Sequence, residues 1–349
     1  MRYVVAVLLA AVCFGTTGTA QALGPDADPL SIGAARLVIG GGALAVIAAI
    51  PLLAGRRRRR LLLLAEADAS PTPPAAPPRR PVPTWLLIAL GAAGVLAYQP
   101  AFFAGTAANG VAIGTVVALG SAPVLTGALD WLTRRRYPGG RWLAATAIAT
   151  VGVALLAFAS DGGHGPANPW GLAASVGAGL SYAVYTLAAK ALIDRGWASN
   201  ASMGALFGTA AAIALPILLL TDASWLTTPA GLAMALWLGL VTTTLAYVLF
   251  GFGLTGLAPA TVSTLTLAEP LTAGLLGVLL LGEQLSAGAI AGLAVLATGI
   301  VVLAAGGRRA PGAGNGSTPA AVSDAPASVD AWTSSSSPVS GSTPPHGRA

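Results

Sequence analysis

The sequence predicts an all-α integral membrane protein with ten transmembrane helices arranged as two inverted five-helix repeats. Three observations lead there. The chain is 55% hydrophobic and only 9% charged, with a mean hydropathy of +0.77, whereas soluble domains carry about 25% charged residues. Apolar runs near the ~20 residues that cross a bilayer as helix recur along almost the whole chain. The same apolar text also occurs twice with different flanking charge. One spacing separates Pro123 from Pro270, Gly127 from Gly274 and Gly152 from Gly299. The loop of the first copy reads Arg134-Arg135-Arg136-Tyr137-Pro138-Gly139-Gly140-Arg141, and that of the second Gly282-Glu283-Gln284-Leu285-Ser286. Basic loops stay in the cytoplasm, so the two copies read as inserted in opposite orientations.

Span 1 covers 3–23. Its Met1-Arg2 start and its Ala20-Gln21-Ala22 also fit a signal peptide with a small-residue cleavage site. The stretch reaches spanning length, which favours a retained helix. Span 2 (30–54) ends at the run Arg56–Arg60, which opens a disordered cytoplasmic linker, 55–84, extended locally by its prolines. The arginine run reads as a stop-transfer and orientation signal, or as a contact for anionic headgroups. Spans 3 (85–105) and 4 (109–131) contain Pro100 and Pro123, and span 5 (142–160) follows the basic loop. Span 6 (169–192) holds Tyr182 and Tyr185, span 7 (200–220) Pro216, and span 8 (230–252) Tyr247. Span 9 (259–281) carries Glu269-Pro270, and span 10 (287–305) is almost wholly apolar. Most spans are rich in Gly and Ala, which lets helix backbones approach closely in a membrane. Residues 306–349, rich in Gly, Ser, Pro and Ala, read as a disordered cytoplasmic tail. The organisation is therefore a first repeat over 1–160, including the linker, a second over 161–305, and the tail.

Charge fixes the expected topology. With the N-terminus inside, the inside loops, span ends and termini hold every Lys and Arg except Arg36. The outside loops hold Asp26, Asp28, Asp161, Asp222 and Glu283 and no base. Both termini are expected in the cytoplasm of a multi-pass plasma-membrane protein. Two further matches support the repeat. Leu96-Ala97-Tyr98 recurs as Leu245-Ala246-Tyr247, and Ala20-Gln21-Ala22-Leu23 as Ala189-Lys190-Ala191-Leu192. An odd number of spans per repeat forces inversion, an architecture found in membrane transporters.

Composition also excludes classes. The net charge of +6 sits in short loops, as topology determinants do, and does not imply nucleic acid. A lone Cys13 rules out a disulfide framework and a multi-cysteine metal site within the chain. His164 and His346 lie in polar segments and form no ligand cluster. No phosphate-binding loop, zinc motif or Ser/His/Asp set occurs in the spans. The expectation is no enzyme, no catalytic residue, no metal and no cofactor. The expected partners are the lipid bilayer and a small-molecule substrate, with coupling to protons or ions open and the oligomeric state unspecified.

The informative residues are polar groups within apolar spans, because a charge at mid-bilayer costs roughly 2.5–3.5 kcal/mol on insertion scales and usually faces a cavity or a partner. Arg36 reads as a cavity contact for an anion or carboxylate, or as a structural group snorkelling or bonding carbonyls. Glu269, beside Pro270, reads as a carrier of a coupling proton or a contact for an amine, or as a structural carboxyl at the proline break. Asp130 reads as an interfacial partner of Arg134, and Glu283 as a loop group. Tyr98, Gln99 and Phe102, with Tyr182, Tyr185 and Tyr247, fit the lining of a mid-membrane site for a small amphipathic molecule, or packing and interface anchoring. Carbonyls freed near Pro100, Pro123, Pro216 and Pro270 are available to line it. The site candidates are thus Glu269, Arg36, Tyr98, Gln99 and Tyr182. Trp85, Trp142, Trp170 and Trp225 read as interfacial aromatics.

Spans 9 and 10 read Ala268-Glu269-Pro270-Leu271-Thr272, Leu281-Gly282-Glu283 and Ala297-Thr298-Gly299. With Pro29 and Arg36 in span 2, this resembles the EamA-type drug/metabolite transporter superfamily over about 3–305, apart from the linker. The resemblance implies two inverted five-helix repeats, with spans 1–4 and 6–9 around a central cavity and spans 5 and 10 at the periphery. It also implies export of amino acids, other metabolites or drugs. The chain departs from the pattern at Ala122, where the second repeat has Glu269, at Arg136, which stands where the first repeat would carry an acidic partner to Glu283, and at Cys13-Phe14, where many members have Trp. The leading functional expectation is a secondary transporter exporting a small amphipathic metabolite, amino acid or drug by alternating access. The alternative is a non-transporting membrane scaffold or sensor that uses the linker or tail; a lipid-modifying enzyme is a third class.

Overall fold

The computed structural model describes residues 1–65, 82–135, 137–159, 168–282 and 284–306. Within them the chain is helical, without strands, and ten helices are long and apolar enough to cross a membrane. They are α1 (Arg2–Ala22), α2 (Pro29–Ala65), α3 (Thr84–Gly110), α4 (Ile113–Arg134), α5 (Gly140–Phe158), α6 (Pro169–Asp194), α7 (Ser199–Leu220), α8 (Pro229–Gly256), α9 (Pro259–Leu281) and α10 (Ala287–Gly306). Helix starts follow local chemistry. Pro169, Pro229 and Pro259 occupy first turns, where a missing N–H costs nothing. Asn168 and Thr228 cap two of these by accepting from Trp170 N (2.9 Å) and Gly231 N (3.0 Å).

Two boundaries differ from expectation. The linker expected to open at residue 55 is helical as far as Ala65, because the arginines and Leu61–Leu64 are good helix formers; residues 66–81 lie outside the described residues. The expected break at 106–108 shrinks to a kink at Gly110, whose φ of 78° suits a residue without Cβ. Arg136, His164, Asp161, Glu283, His346 and the tail from 307 lie outside the described residues.

The helices pack in a crossed pattern. The α3–α4 pair lies against α6, α2 against α7, α5 against α10, and α1 against α8 and α9. The glycine echo of the sequence sits in one of these contacts. A Cβ on Gly299 would lie 2.7 Å from Ala149 N, and a Cβ on Gly152 would meet the Leu296 backbone, so each glycine lets α5 and α10 touch.

Among the described residues, the bases other than Arg36 collect at one end of the bundle, and the other end carries only acids. At one end the α1–α2 and α7–α8 loops, which carry Asp26, Asp28 and Asp222, are tied together. Ser31 Oγ donates to Asp222 O (2.8 Å), and Trp225 Nε1 donates to Ser31 Oγ (2.9 Å). Ser224 N–H donates to the Asp222 carboxylate and holds it below the usual carboxylate range. At the other end Arg134 pairs with Asp130 (2.7 Å) and with Asp194, Lys190 pairs with Asp194 (3.1 Å), and Arg141 donates to Val302 O (2.9 Å). The Asp130–Arg134 pair is the one expected. The tryptophans divide: Trp85 and Trp170 are 69% and 76% exposed, as interfacial residues are, whereas Trp142 and Trp225 are buried. Trp142 Nε1 donates to Ala260 O (2.9 Å) and Thr264 Oγ1 (3.0 Å), so it joins α5 to α9.

Candidate functional site

A cavity of about 220 Å³ lies between the helices. Its wall takes residues from α1, α2, α3, α4, α6, α8 and α9. Phe207 of α7 lines an adjoining recess with Arg36, Tyr98, Tyr185 and Tyr247. Helices α5 and α10 contribute nothing to this wall, because they pack on each other. Arg36, Tyr98, Gln99, Tyr182 and Glu269 all line the cavity.

Glu269 owes its place to a broken helix. Pro270 cannot continue the α-helical ladder, and residues Thr266–Ala268 tighten into a 3₁₀ turn in which Glu269 N–H bonds Thr266 O. A new α-helical segment starts at Glu269 and carries its carboxyl in the first turn. Gly15 of α1 lets α9 approach there, since a Cβ would stand 2.7 Å from Glu269 O and 2.6 Å from Thr272 Cβ. The matching residue of the first repeat, Ala122 before Pro123, also lines the cavity.

Arg36 is held from α8. Its Nε donates to Thr243 Oγ1 (2.9 Å) and its Nη2 to Thr242 O (3.2 Å). Helix α8 is widened into a π stretch over Trp237–Leu245, a distortion frequent at functional sites. Within it the hydroxyls of Thr242 and Thr243 bond back to Leu238 O at 2.8 and 2.9 Å, and that of Thr244 to Gly239 O at 3.0 Å. Arg36 is therefore both a structural tie to α8 and a residue of the cavity wall. Among the described residues it forms no direct ion pair with Glu269. The cavity thus presents a fixed cation and a carboxyl as separate points.

Aromatic rings line the same cavity. Tyr247 packs on Phe14 (5.1 Å between centroids) and Phe207 (4.0 Å), and Tyr182 packs on Tyr185 (5.1 Å). Tyr98 stacks with Phe102 at 6.2 Å. Tyr182 Oη lies 3.0 Å from Thr266 Oγ1; that hydroxyl donates its hydrogen to Ser263 O, so the tyrosine is the donor. Tyr185 and Tyr247 hydroxyls meet at 3.1 Å. These bonds tie α6 to α9 and α8. Lys190 Nζ adds a bond to Leu254 O (2.8 Å), joining α6 to α8 at the basic end. Thr17, Gln21 and Thr115 continue the cavity wall toward the acidic end.

Chemically, Arg36 suits a carboxylate or another anion, and Glu269 suits a cation or a proton. The rings offer apolar faces with hydroxyl tips. Phe14, Gln21, Ser263 and Thr266, and the Thr242–Thr243 support of Arg36, were missed by sequence reasoning. The run Thr242-Thr243-Thr244 inside an apolar span was the available signal. No group of His, Cys, Asp and Glu among the described residues is arranged to hold a metal ion.

The profile of the EamA-like transporter family matches residues 1–158 and 169–305, one stretch for each half of the chain. A protein of Bacillus subtilis (strain 168) named "Uncharacterized transporter YwfM" is 39% identical over 308 residues, covering 88% of this chain and 95% of its own length. A solved crystal structure superposes with a TM-score of 0.66 at 19% identity, covering 86% of this chain and 98% of the other, and so shares the fold.

Proposed function

The chain belongs to the EamA-like transporter family and is a multi-pass membrane transporter, and from that premise we propose that it is a secondary transporter exporting a small amphipathic metabolite, amino acid or drug by alternating access. The observation that carries the reading is one cavity wall bearing Arg36, Glu269 and a ring of tyrosines. Such a wall meets a molecule with an anionic group, a cationic or protonatable group and an apolar body. Arg36, Tyr98, Gln99 and Tyr182 would bind, and Glu269 would bind or exchange a coupling proton or cation.

The two halves, 1–160 and 161–305, act as inverted repeats in this reading, with residues 306–349 as a cytoplasmic tail. Five spans per half and the collection of the bases other than Arg36 at one end support it, with both termini in the cytoplasm of a plasma-membrane protein.

The test is flux in proteoliposomes over a broad panel of amino acids and drugs, with and without a pH gradient. Transport of a panel member that falls, or loses its pH response, in Glu269→Gln supports the reading. No flux for any member counts against transport of this class. Flux with an unchanged pH profile in Glu269→Gln removes Glu269 from the mechanism.

A further inference from the structure

A second pocket of about 490 Å³ adjoins the cavity on the side of α2, α3 and α7. Its wall is apolar, with Leu37, Leu96, Ile213 and Ile217 on three helices and Asp28 at its rim. Helix α2 packs on α7 and on the π stretch of α8, and α3 packs on α6, so α2 and α3 have little direct packing with each other. Where they come together the partition is thin. Gln99 and Phe103 line both the cavity and the pocket, and the Gln99 amide lies where a Cβ on Gly33 would stand, 2.6 Å from Oε1. A polar cavity and an apolar groove, the latter open on its outer side where Leu30 and Ile213 are half exposed, thus share Gln99 and Phe103.

Resting on the transport reading above, we propose that the α2–α3–α7 pocket is the subsite for the apolar tail of the substrate, whose polar head occupies the Arg36–Glu269 cavity. The substrate class is then an amphipath with a compact charged or zwitterionic head and an alkyl or aryl tail. Two features argue for a substrate tail as the occupant. Only the side chains of Gln99 and Phe103 separate the pocket from the cavity, so their rotation would join the two, and the charged groups Arg36 and Glu269 line only the cavity. A cavity of about 220 Å³ suits a compact head group, and the apolar groove of about 490 Å³ lies beside it.

The test uses 2-aminoalkanoic acids with side chains of one to ten carbons, binding to the full chain in nanodiscs by calorimetry. Variants at the half-buried Ile217, remote from Arg36 and Glu269, alter the pocket alone: Ile217→Trp fills it and Ile217→Ala enlarges it. The variant-to-wild-type ratio at each chain length cancels partitioning into lipid. Ile217→Trp should weaken the long members by about tenfold or more, as the loss of two buried methylenes would, and leave the short members within about twofold. Ile217→Ala should move the optimum to longer tails. Equal effects at all lengths, or none, overturn the subsite; a bilayer acyl chain as the resident occupant gives that flat profile. Binding confined to short members overturns the subsite while the transport reading stands. Binding of none overturns it for this head group, and flux across the broad panel then decides the transport reading separately.

Discussion

Replacing Thr243 by valine removes one oxygen and keeps the shape of the side chain. That oxygen accepts from Arg36 Nε at 2.9 Å, and the other α8 bond, Nη2 to Thr242 O at 3.2 Å, is longer. A hydrogen bond to a charged group contributes about 1.5–3 kcal/mol, and Arg36 is only half-buried, so the lower end applies. If the guanidinium must be held for the carboxylate of a substrate, about 1.5 kcal/mol corresponds to roughly tenfold weaker apparent binding. The fold should suffer less, because the Thr242 hydroxyl also bonds Leu238 O. The assay is concentration-dependent counterflow in proteoliposomes, with thermal melts of the same preparations. Thr243→Val should raise KM about tenfold for a carboxylate substrate with a small change in Tm. In an Arg36→Met background the same substitution should change KM little, since the group it positions is gone. A double-mutant cycle isolates that coupling. An equal loss in both backgrounds would refute the positioning role and leave Thr243 a packing residue of the π stretch.

Gly15→Ala should cost about 1–3 kcal/mol by overpacking α1 on α9 and should depress flux more than Gly299→Ala, which crowds α5 on α10 away from the cavity; paired Tm and flux measurements separate the two. Trp142→Phe removes the donor to Ala260 O and Thr264 Oγ1 and should lower stability by about 1–3 kcal/mol with KM unchanged; a changed KM would place Trp142 in the site. Because Ala122 and Glu269 both precede a proline and both line the cavity, Ala122→Glu combined with Glu269→Ala should regain part of the flux lost in Glu269→Ala alone. Equal flux in the single and double variants would show that the two proline breaks are not interchangeable.

The helices were legible because the bilayer imposes one length and one polarity on each of them. The candidate cavity residues were legible because charged or hydroxyl-bearing side chains in apolar spans need a reason to be there. The support of Arg36 was not. A π stretch has no simple composition signature, and Thr242 and Thr243 reach Arg36 across more than 200 residues of chain. Gly15 was equally silent, because a glycine in an alanine-rich span reads the same whether it faces lipid or the Glu269 turn. The extension of α2 to Ala65 was hidden by the prolines that follow, which coloured the whole segment as linker. Trp142 and Trp225 show a limit of position as a signal. Both lie near span ends, yet each buries its ring and places its indole N–H on an acceptor in another helix or loop.

With the two halves taken as the proposed inverted repeats, the packing explains how such a frame can hold an asymmetric site. Counterpart helices pair with each other at α2–α7 and α5–α10, while α1 joins α8 and α9 of the second half and α6 joins α3 and α4 of the first. Each half therefore supplies one helix to the other's group, and the cavity forms where the groups meet. A frame built this way needs small residues at the contacts in both halves, and Gly152 and Gly299 meet that need in the same manner. The cavity wall is less constrained, because a residue there faces space on one side. Ala122 and Glu269 occupy matching sites beside matching prolines, yet only one carries a charge, and Arg36 has no basic counterpart in the second half. In the proposed transport cycle that wall would orient a substrate, with its anionic side toward α2 and its cationic side toward α9. Sequence symmetry thus reports the scaffold, and its local failure marks the residues with which the transporter would tell one end of its substrate from the other.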